Sequence, residues 1–201
     1  MFKPRDLFII GFLISISIFY VYVYDGTELF TSKIDNKKYK VRRGNDAQFK
    51  ADLLALINIK LNSIVSSLKN DNSLLLNEDV QRLIRKWDSG ISIKEIGNME
   101  SDAAYVINKK HMSFCLHEKP NGGSYPDKNL MTYVGIHELS HIMSKETGHG
   151  KEFIKNFQFL LNYAKNTNYF DPTIHQWLPV YSPLNNDIEN YCGVSLENSI
   201  K

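Results

Sequence analysis

From Leu7 to Tyr24 the chain reads LFIIGFLISISIFYVYVY, eighteen residues without a charge and without a polar face. A helix that is apolar on every side suits a bilayer better than an aqueous surface. At ~1.5 Å per residue the run reaches about 27 Å, close to the hydrocarbon thickness of a thin membrane. Tyr20, Tyr22 and Tyr24 supply interfacial aromatic groups at one end, and Lys3 and Arg5 supply cations at the other. A cleaved signal peptide is the competing reading. The absence of a small-x-small site after the apolar run favours an uncleaved anchor instead.

Beyond the anchor the pattern changes period. Residues 25–45 are polar and lysine-rich, a linker with a short strand at Lys38–Arg42. Phe49, Leu53, Leu56, Ile57, Ile64 and Leu68 then keep a helical spacing, which predicts a core helix from Asp46 to Leu68. A second helix is expected over Glu78–Trp87, with Asn77 as N-cap and Val80, Leu83, Ile84 and Trp87 facing inward. Ile91 to Ile96 alternates as a short strand does. Ala104–Ile107 and Met112–Leu116 flank a polar turn and predict a hairpin. After a Gly- and Pro-containing loop at His117–Asn129, two more helical patterns follow: Leu130, Val134, His137 and His141 share one face, and so do Phe153, Phe157, Leu160, Leu161 and Ala164. The expected division is a tail at 1–6, a transmembrane anchor at 7–24, a linker at 25–45 and a single α+β domain at 46–201, with N-terminal helices ahead of a small antiparallel sheet.

A net charge of +2 over 201 residues is too mild to imply nucleic acid, and the aromatic residues are not interleaved with basic ones. No nucleic acid is expected as a direct partner. Lys33, Lys37, Lys38, Lys40, Arg42 and Arg43 follow the anchor while Lys3 and Arg5 precede it, so charge counting favours a cytoplasmic C-terminal domain. Cys115 and Cys192 lack metal-type spacing and could be buried thiols or one disulfide. Free thiols are expected, because Cys115 sits in an apolar strand-like run.

The candidate chemistry lies in His137-Glu-Leu-Ser-His141, an HExxH sequence, followed by Gly148-His149-Gly150. Residues four apart on a helix face one way, so His137 and His141 can grip one metal ion. Glu138, offset by one residue, can act as general base on a metal-activated water. His149 can reach the same ion only if the helix stops first, which assigns Gly148 to the helix end and Gly150 to close backbone passage beside the metal. Three imidazoles with one position left for water describe a catalytic zinc site rather than a structural one. His111, His117 and His175 read as surface histidines, and Glu152, a possible substitute for His149, reads as an ordinary acid in a helix first turn. Tyr181, Tyr191 and His175 are candidates for oxyanion stabilisation.

HELSH, the spacer, GHGKEF and the aromatic-rich helix resemble the SprT-like and WLM zinc metallopeptidases. They are also similar to small proteins of large DNA viruses and algae that share HExxH, a GH-x-x-EF turn and a Tyr-Cys-Gly, here Tyr191-Cys192-Gly193. The resemblance spans roughly residues 104–193. It implies a zincin-like fold, Zn2+ held by His137, His141 and His149, Glu138 as catalytic base, a protein or peptide substrate, and a host or virion membrane. By position the 112–116 strand further resembles the edge strand beside the metal helix onto which extended peptide adds in such proteases, and a plain core strand is the equal alternative. The competing expectations are a zinc-stabilised scaffold that cuts nothing, and a zinc amidohydrolase acting on a non-peptide amide.

Overall fold

A computed structural model describes residues 3–97, 104–107, 109–116, 125–184, 190–192 and 194–195. The described residues form an α+β structure with five α-helices and three small sheets. The first helix, α1, runs Pro4–Asp25 and ends on Gly26, whose φ of 62° is the left-handed cap that glycine adopts without strain. Its large apolar side chains are exposed, Phe8 at 76% and Phe19 at 68%. Ser15 and Ser17 donate their hydroxyls to the Gly11 and Leu13 carbonyls, both at 2.9 Å, so the two serines in the apolar run are satisfied within the helix.

No linker follows. Strand β1 (Thr27–Thr31) begins one residue after the Gly26 cap and pairs antiparallel with β2 (Lys38–Arg42). The expected strand at 38–42 is present, but the expectation of a linker over 25–45 is corrected: lysine content hid a half-buried hairpin. Tyr39 and Val41 point into the core while Lys38 faces water. Arg42 is tied down, donating from Nε to the Ile96 carbonyl at 2.9 Å and from Nη2 to the Gly97 carbonyl at 2.8 Å.

Helix α2 (Ala47–Asn70) is long and apolar enough to cross a membrane, yet it is the central core helix. Leu54, Ala55, Ile57, Leu61 and Ile64 have no exposed surface. Burying each such leucine or isoleucine contributes about 1.5–3 kcal/mol. Phe49, expected inward, is instead 48% exposed and packs its ring on Tyr125 at 4.6 Å. Helix α3 (Glu78–Asp88) starts on the expected cap, Asn77 accepting from the Asp79 and Val80 amides.

Strand β3 (Ser92–Glu95) then lies parallel to β2, and β4 (Ala104–Ile107) and β5 (His111–Phe114) form the expected hairpin. The sheet order is β1-β2-β3-β5-β4, with β3 and β5 also parallel. A mixed sheet replaces the expected antiparallel one, because α2 and α3 supply the long crossover that parallel neighbours need. β5 is consequently internal. The edge beside the helix Lys128–Met143 is β4, not the 112–116 strand.

Helices α4 (Lys128–Met143) and α5 (Lys151–Lys165) complete the helical layer, and α4 packs against α2, α3, α5 and β4. Gly135 permits its closest approach, since a Cβ there would lie 3.0 Å from both Leu61 methyl carbons. Two hairpins follow, β6 (Asn168–Asp171) with β7 (Gln176–Pro179) and β8 (Asn190–Tyr191) with β9 (Val194–Ser195). Neither has a clear signal in the sequence pattern.

Cys115 and Cys192 form a disulfide with a Cα–Cα distance of 6.3 Å, so the expectation of free thiols is corrected. Long-range pairing of this kind cannot be read from the spacing of two cysteines. Tyr191, 2% exposed, reinforces the link by donating its phenol to the Cys115 carbonyl at 2.7 Å. Gly193 and His117 lie outside the described residues, as does most of the 117–129 loop.

Candidate metal centre

Asp127 caps α4, accepting from the Asn129 amide at 2.8 Å and the Leu130 amide at 3.0 Å. This fixes the start of a helix whose later turns carry His137, Glu138 and His141. The C-terminal end is held from outside: Arg82 donates to the Met143 carbonyl and Lys109 to the Ser144 carbonyl. Helix carbonyls left over at a C-terminus attract cations, so these two residues brace the element that bears the histidines. Neither was legible as part of the site, because each reaches α4 from a distant segment.

The chain leaves α4 earlier than expected. Ser144, not Gly148, is the C-cap, and its Oγ donates to the Ser140 carbonyl at 2.8 Å while accepting from Asn156 Nδ2 at 3.0 Å. Gly148 does adopt the left-handed region, φ 82°, but within the turn that follows. Gly150 is close to Glu146 rather than to the histidines: a Cβ there would lie 2.5 Å from Glu146 Oε1.

This turn brings His149 back onto α4. The Nε2 atoms of His137 and His141 lie 3.2 Å apart, those of His149 and His137 3.1 Å, and those of His149 and His141 3.2 Å. Such a triangle could hold a metal ion. A tetrahedral ion with bonds of about 2.0–2.1 Å to nitrogen separates its ligands by roughly 3.3–3.4 Å, so the donor set fits. Burial, with help from the neighbouring imidazoles, drives His137 down to about 3. Burial, then His149 and Lys109, drives His141 down to about 4. Both rings are therefore neutral at physiological pH, the form that ligates metal. Phe153, fully buried, is the floor: its ring centroid lies 4.8 Å from that of His137, 4.4 Å from His141 and 4.7 Å from His149. In the sequence Phe153 was visible only as a core position.

Glu138 is 3% exposed, and its Oε2 has no hydrogen-bond partner among the described residues. Burial pushes its carboxyl up to about 8. Its charge is also felt by Tyr191, whose phenol is raised by burial first and by Glu138 second. A buried carboxyl with an orphaned oxygen, directly after His137 and three residues before His141, is suited to hold a proton in transit.

The remaining candidates within the described residues are engaged with other groups or exposed. His111 is exposed and lies 2.6 Å from Ser92 Oγ through Nδ1. His175 occupies the exposed β6–β7 turn. Glu152 turns back onto the 145–146 backbone. The Tyr181 ring lies tilted against Tyr133 with centroids 6.2 Å apart, and the Tyr191 hydroxyl is engaged with the Cys115 carbonyl.

The chain is 34% identical over 80 residues to the uncharacterized protein 136R of Invertebrate iridescent virus 6, covering 39% of this chain and 45% of that protein. It is 35% identical over 96 residues to the uncharacterized protein 042R of Invertebrate iridescent virus 3, covering 48% and 53%. With the uncharacterized protein R325 of Acanthamoeba polyphaga mimivirus it shares 25% identity over 173 residues, covering 84% and 82%. The chain thus spans about half the length of the two iridescent-virus relatives it matches. No family model and no solved structure matches it. What the comparisons give is a likeness to proteins of large DNA viruses.

Proposed function

We propose that this protein is a zincin-type zinc metallopeptidase anchored to a membrane by α1. The observation that carries the reading is the convergence of the three Nε2 atoms at 3.1–3.2 Å beside the buried Glu138. Zinc held by His137, His141 and His149 supplies Lewis acidity toward a peptide carbonyl and toward water. Glu138 takes the proton of the attacking water and delivers it to the leaving amine. Burial makes the Glu138 carboxylate a stronger base than an exposed one. β4, the sheet edge beside α4, offers backbone groups to an extended peptide, which is sequence-independent recognition.

The membrane reading rests on α1, whose run from Leu7 to Tyr24 carries no charge and whose described large apolar side chains are exposed. The disulfide revises the orientation expected from charge counting. Disulfides persist in oxidising compartments and on virion or cell surfaces, which favours a domain on the non-cytoplasmic side. The basic residues that argued otherwise belong to a folded hairpin, and Arg42 is committed to carbonyls of the body.

The test uses the full chain in detergent micelles, with metal content and cleavage of a denatured protein measured for wild type and Glu138→Gln. One zinc per chain in both, with cleavage reduced about 10²–10⁴-fold in the variant, is the expected result. Zinc in both and cleavage by neither would replace the peptidase with a zinc-stabilised scaffold. Absence of zinc from wild type would remove the metal reading itself.

A further inference from the structure

The turn that delivers His149 is built without apolar anchors: Lys145 to Gly150 are all exposed. It is held instead by two carboxylates that cross its base. Glu152 accepts from the Lys145 amide with both oxygens, at 3.1 Å each, and from the Glu146 amide through Oε2 at 3.3 Å. Glu146 answers by accepting through Oε1 from the Glu152 amide at 2.9 Å and the Phe153 amide at 3.4 Å. Four backbone donors are thus satisfied, two leaving α4 and two opening α5. The arrangement works as a capping box does, but across six residues rather than three. Gly150 keeps the space beside Glu146 Oε1 clear.

Glu152 is also fastened to a third element. Arg82 of α3 lies 3.6 Å from its Oε1 through Nη1, and that same nitrogen donates to Asp79 Oδ1 at 2.9 Å and to the Met143 carbonyl. A rigid helix, the end of α4 and the start of α5 therefore meet at one carboxylate.

We propose that Glu152 and Glu146 are positioning residues for the third metal ligand. Their crossed hydrogen bonds hold the 145–150 turn closed, and Glu152, through Arg82, sets where His149 stands over His137 and His141. The inference rests on the metal reading of the triad. It gives Glu152 a role that neither an ordinary first-turn acid nor a substitute ligand would have. Glu152→Gln is the discriminating change, because both carboxylate oxygens face N–H donors and an amide puts a donor against a donor at one of them.

The experiment uses the full chain in detergent micelles. Zinc affinity is measured by competition with a chromophoric chelator, and the visible absorption of the cobalt(II)-loaded protein reports coordination. Wild type, Glu152→Gln, Glu146→Ala, His149→Ala and the exposed control Thr147→Ala are compared; alanine is used at 146 because both bonds there go to Oε1, which a glutamine amide oxygen could keep. Expected is a roughly ten- to hundred-fold loss of zinc affinity in Glu152→Gln and Glu146→Ala. Their cobalt spectra should shift toward that of His149→Ala, while Thr147→Ala matches wild type. Wild-type affinity and spectrum in these two variants overturn the proposal while leaving the triad intact. A loss of affinity with an unchanged cobalt spectrum also overturns it, since general destabilisation would not alter coordination. If wild type takes neither metal, the metal reading fails before the positioning question arises.

Discussion

Replacing Cys115 and Cys192 together by alanine should lower the melting temperature of the oxidised protein by roughly 9–18 °C. The two cysteines are 77 residues apart. In the chain-entropy model, closing a loop of that length removes about 15 cal/mol/K from the unfolded ensemble, or about 4.5 kcal/mol at 25 °C. For a body of 150–250 residues each kcal/mol moves the midpoint by about 2–4 °C, which gives the range. The loop contains β5's exit, α4, the turn of His149 and all of α5, so the cross-link encloses the whole candidate centre. Alanine removes the link while leaving the Tyr191 bond to the Cys115 carbonyl available, so the comparison isolates the covalent constraint. Thermal unfolding of the full chain in micelles, followed by circular dichroism with and without a dithiol reductant, reads the effect. Reductant should lower wild type to the level of the double variant and leave the variant unmoved. A difference below about 2 °C, or two titratable thiols in denatured, non-reduced protein, would refute the reasoning and with it the non-cytoplasmic orientation.

Other expectations concern the packing, one buried charge and the metal. Phe153→Ala should cost about 3–5 kcal/mol in chemical denaturation and weaken zinc binding, because the ring that all three imidazoles rest on is fully buried. Gly135→Ala gains about 1 kcal/mol of helix propensity but drives a methyl to 3.0 Å from Leu61, an overpacking cost of about 1–3 kcal/mol; net destabilisation by up to about 2 kcal/mol is expected, relieved in a Leu61→Val background. Burial lowers Lys60 to about 8. The unfolded chain therefore binds the extra proton between that value and about 10.4, so this residue makes stability rise with pH from about 8 to 10. Lys60→Met should abolish that rise, and an unchanged slope would show that another group carries it. Zinc at a hundred times its dissociation constant should stabilise the chain by about 2.7 kcal/mol, an increment lost on chelation and reduced in His149→Ala.

Helices α2 to α5 were legible because each carries buried apolar positions at helical spacing, and Asn77 was readable as a cap because a short amide before an amphipathic run has little else to do. The histidines of α4 were legible for a related reason: spacing along a helix fixes direction. His149 needed more than spacing. The sequence indicated a reversal at a glycine, but the reversal starts at Ser144, where Lys109 and Asn156 meet the end of α4. Strand order was hidden, since β2, β3 and β5 become parallel neighbours only through crossovers whose path no local pattern records. The β1–β2 hairpin was obscured by its lysines. Their exposed ammonium groups dominate composition, whereas the inward positions of Tyr39 and Val41 determine structure. The disulfide, Arg82 and Lys109 share one cause of invisibility, being contacts between segments far apart in the chain.

The single residue between α1 and β1 changes how such a protein would find its targets. A coil of about twenty residues would let a domain sweep a hemisphere some 25 Å in radius. With α1 in a bilayer and only Gly26 before the sheet, that reach shrinks to one residue, and the height of the centre above the lipid is confined to a narrow range. Encounters are then two-dimensional, governed by lateral diffusion and by how far a neighbouring protein projects from the same surface. Selectivity by height needs no sequence recognition at all. Inserting Gly-Ser repeats after Gly26 would exchange that ruler for reach.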